Sequence, residues 1–108
     1  MSSNIQVIEP AGILDSTKAE VFRQTVEQLL KDGAEVILVD MKEITFIDSS
    51  GLGTLVVLLK NMRGLNRTFC ICSINDQVRM LFELTSMDRV FEVYDDRQAF
   101  EAAMMKVS

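Results

Sequence analysis

The stretch Val36-Ile37-Leu38-Val39-Asp40, followed by Phe46-Ile47-Asp48-Ser49-Ser50-Gly51-Leu52-Gly53 and then by Leu55-Val56-Val57-Leu58-Leu59, decides how this chain is read. Val36 to Asp40 is β-branched and almost continuously apolar, the mark of a strand covered on both faces. Ile44 to Ile47 is a short extended piece. From Ser50 to Met62, residues Leu52, Leu55, Val56, Leu59 and Met62 recur at helical spacing. A hydroxyl cluster therefore occupies a strand-to-helix junction. Backbone amides in a first helical turn lack an intrahelical acceptor and favour an anion. On spacing alone, two readings of the serines stand. One is a plain helix cap beside an aspartate; the other is a hydroxyl that takes a phosphate.

Toward the N-terminus, Ile5-Gln6-Val7-Ile8 reads as a strand. Pro10 interrupts it, and Gly12-Ile13-Leu14 continues it beyond a bulge. Asp15-Ser16-Thr17 supplies cap residues, and Thr17-x-x-Glu20 has the form of a capping box. A helix follows to about Asp32, with Phe22, Val26, Leu29 and Leu30 inward and Gly33 as its stop. Toward the C-terminus, Gly64 ends the helix from Ser50 and Thr68 to Ile74 is a strand. Asn75 or Asp76 caps a helix with Val78, Leu81, Phe82 and Thr85 inward. Val90 to Tyr94 is a last strand. Asp95 or Asp96 caps a final helix carrying Ala99, Phe100, Ala103 and Met104. This alternation predicts a single α/β domain over residues 1–108, with a mostly parallel central sheet of about four to five strands and about four helices. The pattern leaves open whether the helices cover one face or both.

A chain of 108 residues with 48% hydrophobic and 25% charged residues fits one ordinary soluble domain. Its net charge of −5 argues against nucleic acid, whose phosphates need a basic surface. The longest apolar run, Leu55 to Leu59, is too short to span a bilayer, and Met1-Ser2-Ser3-Asn4 opens no signal peptide. A cytoplasmic protein that binds no membrane is expected. No histidine is present, which removes the Ser-His-Asp triad, the Cys-His pair and histidine metal sites. Cys70 and Cys72 point to one face of a strand and read as small buried residues in a reducing compartment; two thiolates alone make no structural zinc site. Neither Ser49 nor Ser50 has a glycine two positions before it, as a nucleophile elbow requires. No phosphate-binding Gly-Lys-Ser/Thr loop exists, and Gly51-x-Gly53 lacks the third glycine of a dinucleotide fingerprint. No catalytic residue, cofactor or metal is expected.

A phosphate on Ser49 fits the junction physically. It adds roughly −1.5 to −2 charge, which helix amides and the helix dipole tolerate. Gly51 and Gly53 keep side chains away from the hydroxyl. Asp48 adds like-charge repulsion, as does Asp15 where the fold brings it close.

Asp48-Ser49-Ser50-Gly51-Leu52-Gly53, after a strand ending in Asp40, resembles the signature of the STAS domain, and more narrowly that of the bacterial anti-sigma factor antagonists. Gly12-x-Leu14-Asp15 before the first helix is similar to the family's Gly-x-Leu-Asp. Val78-Arg79-x-Leu81-Phe82, followed by Met87 and Phe91, resembles its third-helix segment. The likeness runs from about Ile5 to Phe100. It implies phosphorylation at Ser49, with Asp15, Asp48, Ser50 and Gly51 as its surroundings. It also implies partner switching. The unphosphorylated antagonist sequesters an anti-sigma factor that is itself a serine kinase of the histidine-kinase-like ATPase type. Phosphorylation ends the complex, and a PP2C-type phosphatase restores it. The resemblance implies no enzymatic activity and no cofactor. One departure is visible: only about ten residues precede Gly12-x-Leu14-Asp15, so the family's N-terminal strand is expected to be shortened or missing.

Leu52, Thr54, Val57 and Leu58 are the expected partner contacts on the helix from Ser50. Val57 and Leu58 lie off its main stripe, which is the pattern of a helix buried on more than one side as well as of an exposed contact. Met41, Met62, Met80 and Met87 read as core filler, with Met80 and Met87 also candidates for an adaptable binding surface. Lys60, Arg63 and Arg67 suit a helix C-terminus without any ligand. Two other functions compete. A phosphoaspartate receiver would use Asp48 or Asp40 with magnesium, but no acidic pair lies at an early strand end and no lysine lies between Lys60 and Lys106. A STAS scaffold or lipid-pathway component would never be phosphorylated.

Overall fold

The chain runs β1 (Ile5–Ile8), β2 (Gly12–Leu14), α1 (Ser16–Lys31), β3 (Val36–Asp40), β4 (Ile44–Ile47), α2 (Ser49–Gly64), β5 (Thr68–Cys72), α3 (Asp76–Leu84), a 3-10 turn at Met87–Arg89, β6 (Glu92–Tyr94) and α4 (Arg97–Val107). These elements come from a computed structural model that describes residues 4–107. The strands form two ladders: a four-stranded sheet in the order β1-β3-β5-β6, and a separate pair, β2-β4. Every pairing in both is parallel, as the alternation predicts.

β3 is buried at all five positions, which explains its unbroken apolar run. The helices divide unequally over its two faces. Ile37, Val39, Phe69 and Ile71 face a core shared with Phe22 and Val26 of α1, Leu55, Leu58 and Met62 of α2, and Val78 and Phe82 of α3. Val36, Leu38, Cys70 and Cys72 face the other way and meet Phe100 of α4. Three helices therefore cover one face and one helix covers the other, settling what the pattern left open.

Several expectations need correction. Ile5–Ile8 and Gly12–Leu14 do not form one bulged strand. β1 pairs with Val36–Val39, whereas β2 pairs with β4, with a register irregularity at Gly12/Ile13. Pro10, lacking an N–H, cannot carry the first ladder onward, and Gly12, at φ +82°, redirects the chain. β1 is present as a four-residue edge strand, so the N-terminal strand is not missing. Thr17 and Glu20 make no capping box. Asp15 is the N-cap and accepts from Thr17 and Lys18 N–H, while Glu20 turns to Arg23. Thr85 is exposed, closing α3 with its hydroxyl on the Leu81 and Phe82 carbonyls. The last strand starts at Glu92 rather than Val90, because the Val90 and Phe91 N–H groups both close back onto the Met87 carbonyl, at 3.0 Å each. Gly33 stops the first helix as expected, at φ +99°.

Candidate functional site

Two adjacent parallel strands feed two adjacent helices. Leu14 of β2 lies opposite Ile47 of β4, so Asp15 and Asp48 leave the ladder side by side. Each becomes the N-cap of the helix that follows. Asp15 Oδ1 accepts from Thr17 N–H at 3.1 Å and Lys18 N–H at 3.2 Å. Asp48 Oδ1 accepts from Gly51 N–H at 2.9 Å. A cap of this kind contributes about 1 kcal/mol. The junction is capped by Asp48 and not, as the plain-cap reading has it, by a serine, so neither serine serves as the cap. α2 begins at Ser49, one residue earlier than the apolar spacing indicates. Ser49 is thus the first helical residue, and both serines are exposed. The helix dipole places partial positive charge at this turn.

Gly51 and Gly53 have different reasons to be glycine. A Cβ at Gly51 would sit 2.2 Å from the Leu14 carbonyl oxygen and 3.0 Å from the Ile47 side chain. Only a bare backbone lets the α2 turn pack onto β2. Gly53 has nothing within 4 Å of such a Cβ. It is one turn beyond Ser49 on the same helix face, so it leaves the approach to that hydroxyl open.

The expected partner contacts separate by burial. Val57 is 50% exposed and Thr54 is half-buried. Leu52 and Leu58 are core residues, at 5% and 0% exposure, and are not presented by this face. Leu58 packs inward because α2 touches α1 as well as the sheet, which widens its buried arc. What the helix offers outward is the ridge Ser49, Gly53, Val57. Beside it, Ile13 and Phe46 oppose each other across the β2–β4 ladder and remain 46% and 44% exposed.

Sequence reasoning missed two amides. Gln77 of α3 accepts from Ile47 N–H and donates to Ile47 C=O, both at 2.9 Å. Asn75, the N-cap of α3, also donates from Nδ2 to the Ile44 and Thr45 carbonyls. Polar residues at a helix start read as caps, so the sequence carries no separate signal for this use. The basic group around the C-terminus of α2 also has specific partners: Arg63 donates to Val90 C=O at 2.9 Å, and Arg67 to Ala34 C=O.

Asp40 lies at the end of β3 and is 2% exposed. It pairs with Arg97 at 3.1 Å and accepts from Lys42 N–H, while Arg97 also holds Glu9. Two acids, Glu9 and Asp40, therefore do gather at the ends of β1 and β3, contrary to the sequence expectation, but the Arg97 guanidinium sits between them and neutralises them, which is unlike a receiver's open acidic pocket. Both thiols are buried and unpaired. Burial, reinforced by Glu92, pushes the Cys70 thiol up to about 12, and burial raises Cys72 as well. Among the described residues, no group of three or more His, Cys, Asp or Glu side chains is placed to hold a metal ion. No described helix is long and apolar enough to cross a membrane.

Comparison with known proteins gives a concordant result. The family model described as the STAS domain matches residues 2–100. The anti-sigma-B factor antagonist of Listeria monocytogenes is 26% identical over 83 residues, covering 77% of this chain and 73% of that protein. The crystal structure of TM1081 from Thermotoga maritima matches with a TM-score of 0.85 at 27% identity, over 99% of this chain and 90% of that one. The anti-sigma factor antagonist SpoIIAA in its unphosphorylated form matches with a TM-score of 0.77 at 18% identity, over 96% and 92% of the two chains, a likeness of fold.

Proposed function

We propose that this chain, which belongs to the STAS domain family, is an anti-sigma factor antagonist controlled by phosphorylation of Ser49. The observation that carries the reading is the position of that serine. Ser49 is exposed at the first residue of α2, fixed by the Asp48 cap, with Asp15 alongside. The chain supplies a hydroxyl and a docking face, and the catalytic groups belong to its partner. The unphosphorylated protein binds an anti-sigma factor that is also a serine kinase of the histidine-kinase-like ATPase type. In the transfer, a bond forms between Ser49 Oγ and the γ-phosphorus of ATP as the bond to ADP breaks. The hydroxyl proton passes to a base on the kinase. The product carries a charge of roughly −1.5 to −2 beside two carboxylates, on the surface that contacts the partner. Like-charge repulsion and the cost of desolvating the phosphate then dissociate the complex, and a PP2C-type phosphatase reverses the step. Two unpaired, buried cysteines suit the reducing cytoplasm.

The test is incubation with an anti-sigma factor kinase and ATP, with the site mapped by mass spectrometry. A pull-down with wild-type and Ser49→Asp bait runs in parallel. Phosphate on Ser49, and retention of the kinase by wild type alone, are expected. An unmodified Ser49, with copurification of transporter or membrane components only, would instead support a STAS scaffold.

A further inference from the structure

β4 has a strand partner, β2, on one side only. On its other side, the residue before the Asp48 cap is held by a side chain. The Gln77 amide accepts from Ile47 N–H through Oε1 and donates to Ile47 C=O through Nε2, at 2.9 Å each. Exchanging both bonds with one residue is what an opposing strand residue does in an antiparallel pair. Asn75 Nδ2 extends the imitation with bonds to Ile44 C=O at 3.1 Å and Thr45 C=O at 3.3 Å. The link from β4 back to β2 at this level is weaker: Asp48 N–H reaches Leu14 C=O at 3.4 Å. Asp48, and Ser49 after it, are therefore held from α3 as well as from β2.

We propose that Gln77 is a positioning residue for the phosphosite. It fixes Ile47; Ile47 fixes the Asp48 cap; the cap fixes Ser49 Oγ for in-line transfer. This rests on the Ser49 reading above. Transfer is sensitive to such placement, since a displacement of about 1 Å costs about 100-fold in rate. The half-buried amide is suited to the task because it satisfies a donor and an acceptor at once. It also makes α3 part of the site, although no residue of α3 reacts.

Gln77→Leu keeps similar bulk and removes both bonds. Gln77→Glu keeps an acceptor for Ile47 N–H and sets a carboxylate oxygen against Ile47 C=O; it serves if the leucine variant does not fold. For each, kcat and KM of Ser49 phosphorylation are measured with an anti-sigma factor kinase that modifies the wild type. Amide exchange of Ile47 and Asp48 is followed by NMR without the kinase. The expected result is a kcat lower by about tenfold or more, a KM within about twofold, and faster exchange at both amides. A merely structural role lowers the melting temperature and leaves kcat of the folded variant unchanged; that outcome, or unchanged exchange at Ile47, overturns the proposal. If no kinase modifies the wild type, the phosphorylation reading fails by itself, and the exchange measurement still decides whether Gln77 holds the turn.

Discussion

The carbonyl oxygen of Leu14 lies 2.2 Å from where a Cβ on Gly51 would stand. The first turn of α2 and the end of β2 thus approach more closely than any side chain at position 51 permits. Gly51→Ala forces the two apart and destabilises the fold by about 1–3 kcal/mol, read as a lower urea midpoint. Gly53→Ala has the opposite sign. Open space surrounds that position, and replacing a helical glycine by alanine contributes up to about 1 kcal/mol. Because Gly53 stands one turn from Ser49, the same methyl is expected to slow phosphorylation of Ser49 while stability rises.

The buried thiols predict an alkaline weakness. Cys70 is raised to about 12 from an ordinary value of 9.0, so the folded state keeps its proton where the unfolded state has lost it. Stability from this group is complete below pH 9 and falls as pH rises toward 12, by at most about 1.4 kcal/mol per pH unit. Cys72, also raised, acts in the same direction. Denaturant melts between pH 8 and pH 11 should show the decline, and Cys70→Ala should flatten it. Iodoacetamide at pH 8 should leave both thiols unmodified in the folded protein.

The Asp40–Arg97 pair predicts a thermodynamic coupling. Asp40 is buried and Arg97 is its charged partner. Arg97→Leu leaves an uncompensated buried carboxylate, costing about 3–5 kcal/mol. Adding Asp40→Asn removes the charge and should recover part of the loss. A double-mutant cycle from urea melts checks this, and strict additivity of the two substitutions would rule the coupling out.

The fold was legible because its signals are local. The unbroken run at β3 and the helical spacing around Leu55 follow from which faces are covered. Asp48, Ser49 and Gly51 could be picked out because a cap, a hydroxyl and a bare turn are distinct chemical types. What stayed illegible depends on partners far apart in the chain. Gln77 bonds to Ile47 across thirty residues, and glutamine carries no mark of that use. Separation of β2 from β1 depends on which neighbour each strand meets, while the run from Ile5 to Leu14 reads as extended throughout. For Leu58 the spacing leaves a partner contact and a helix buried on more than one side both open, and the structure takes the buried one. Periodicity gives one buried stripe, but α2 packs against both α1 and the sheet.

That difference between Leu58 and its neighbour separates partner binding from folding. Val57 is 50% exposed and Leu58 is 0% exposed, one residue apart on α2. Val57 continues the outward ridge from Ser49 and Gly53, each step being four residues. Val57→Asp buries nothing new and should change stability by no more than about 0.5 kcal/mol. It places a carboxylate on the proposed docking face, where the partner would have to desolvate it, so affinity for the proposed anti-sigma kinase should fall by about tenfold or more, roughly 1.4 kcal/mol. Leu58→Asp buries a charge with no counter-ion and should unfold the domain outright. Calorimetric titration against the kinase, with circular dichroism as the folding control, distinguishes the two. A Val57→Asp protein that binds as tightly as wild type would remove α2 beyond Gly53 from the docking face and leave the contact to the Ile13–Phe46 side of the site.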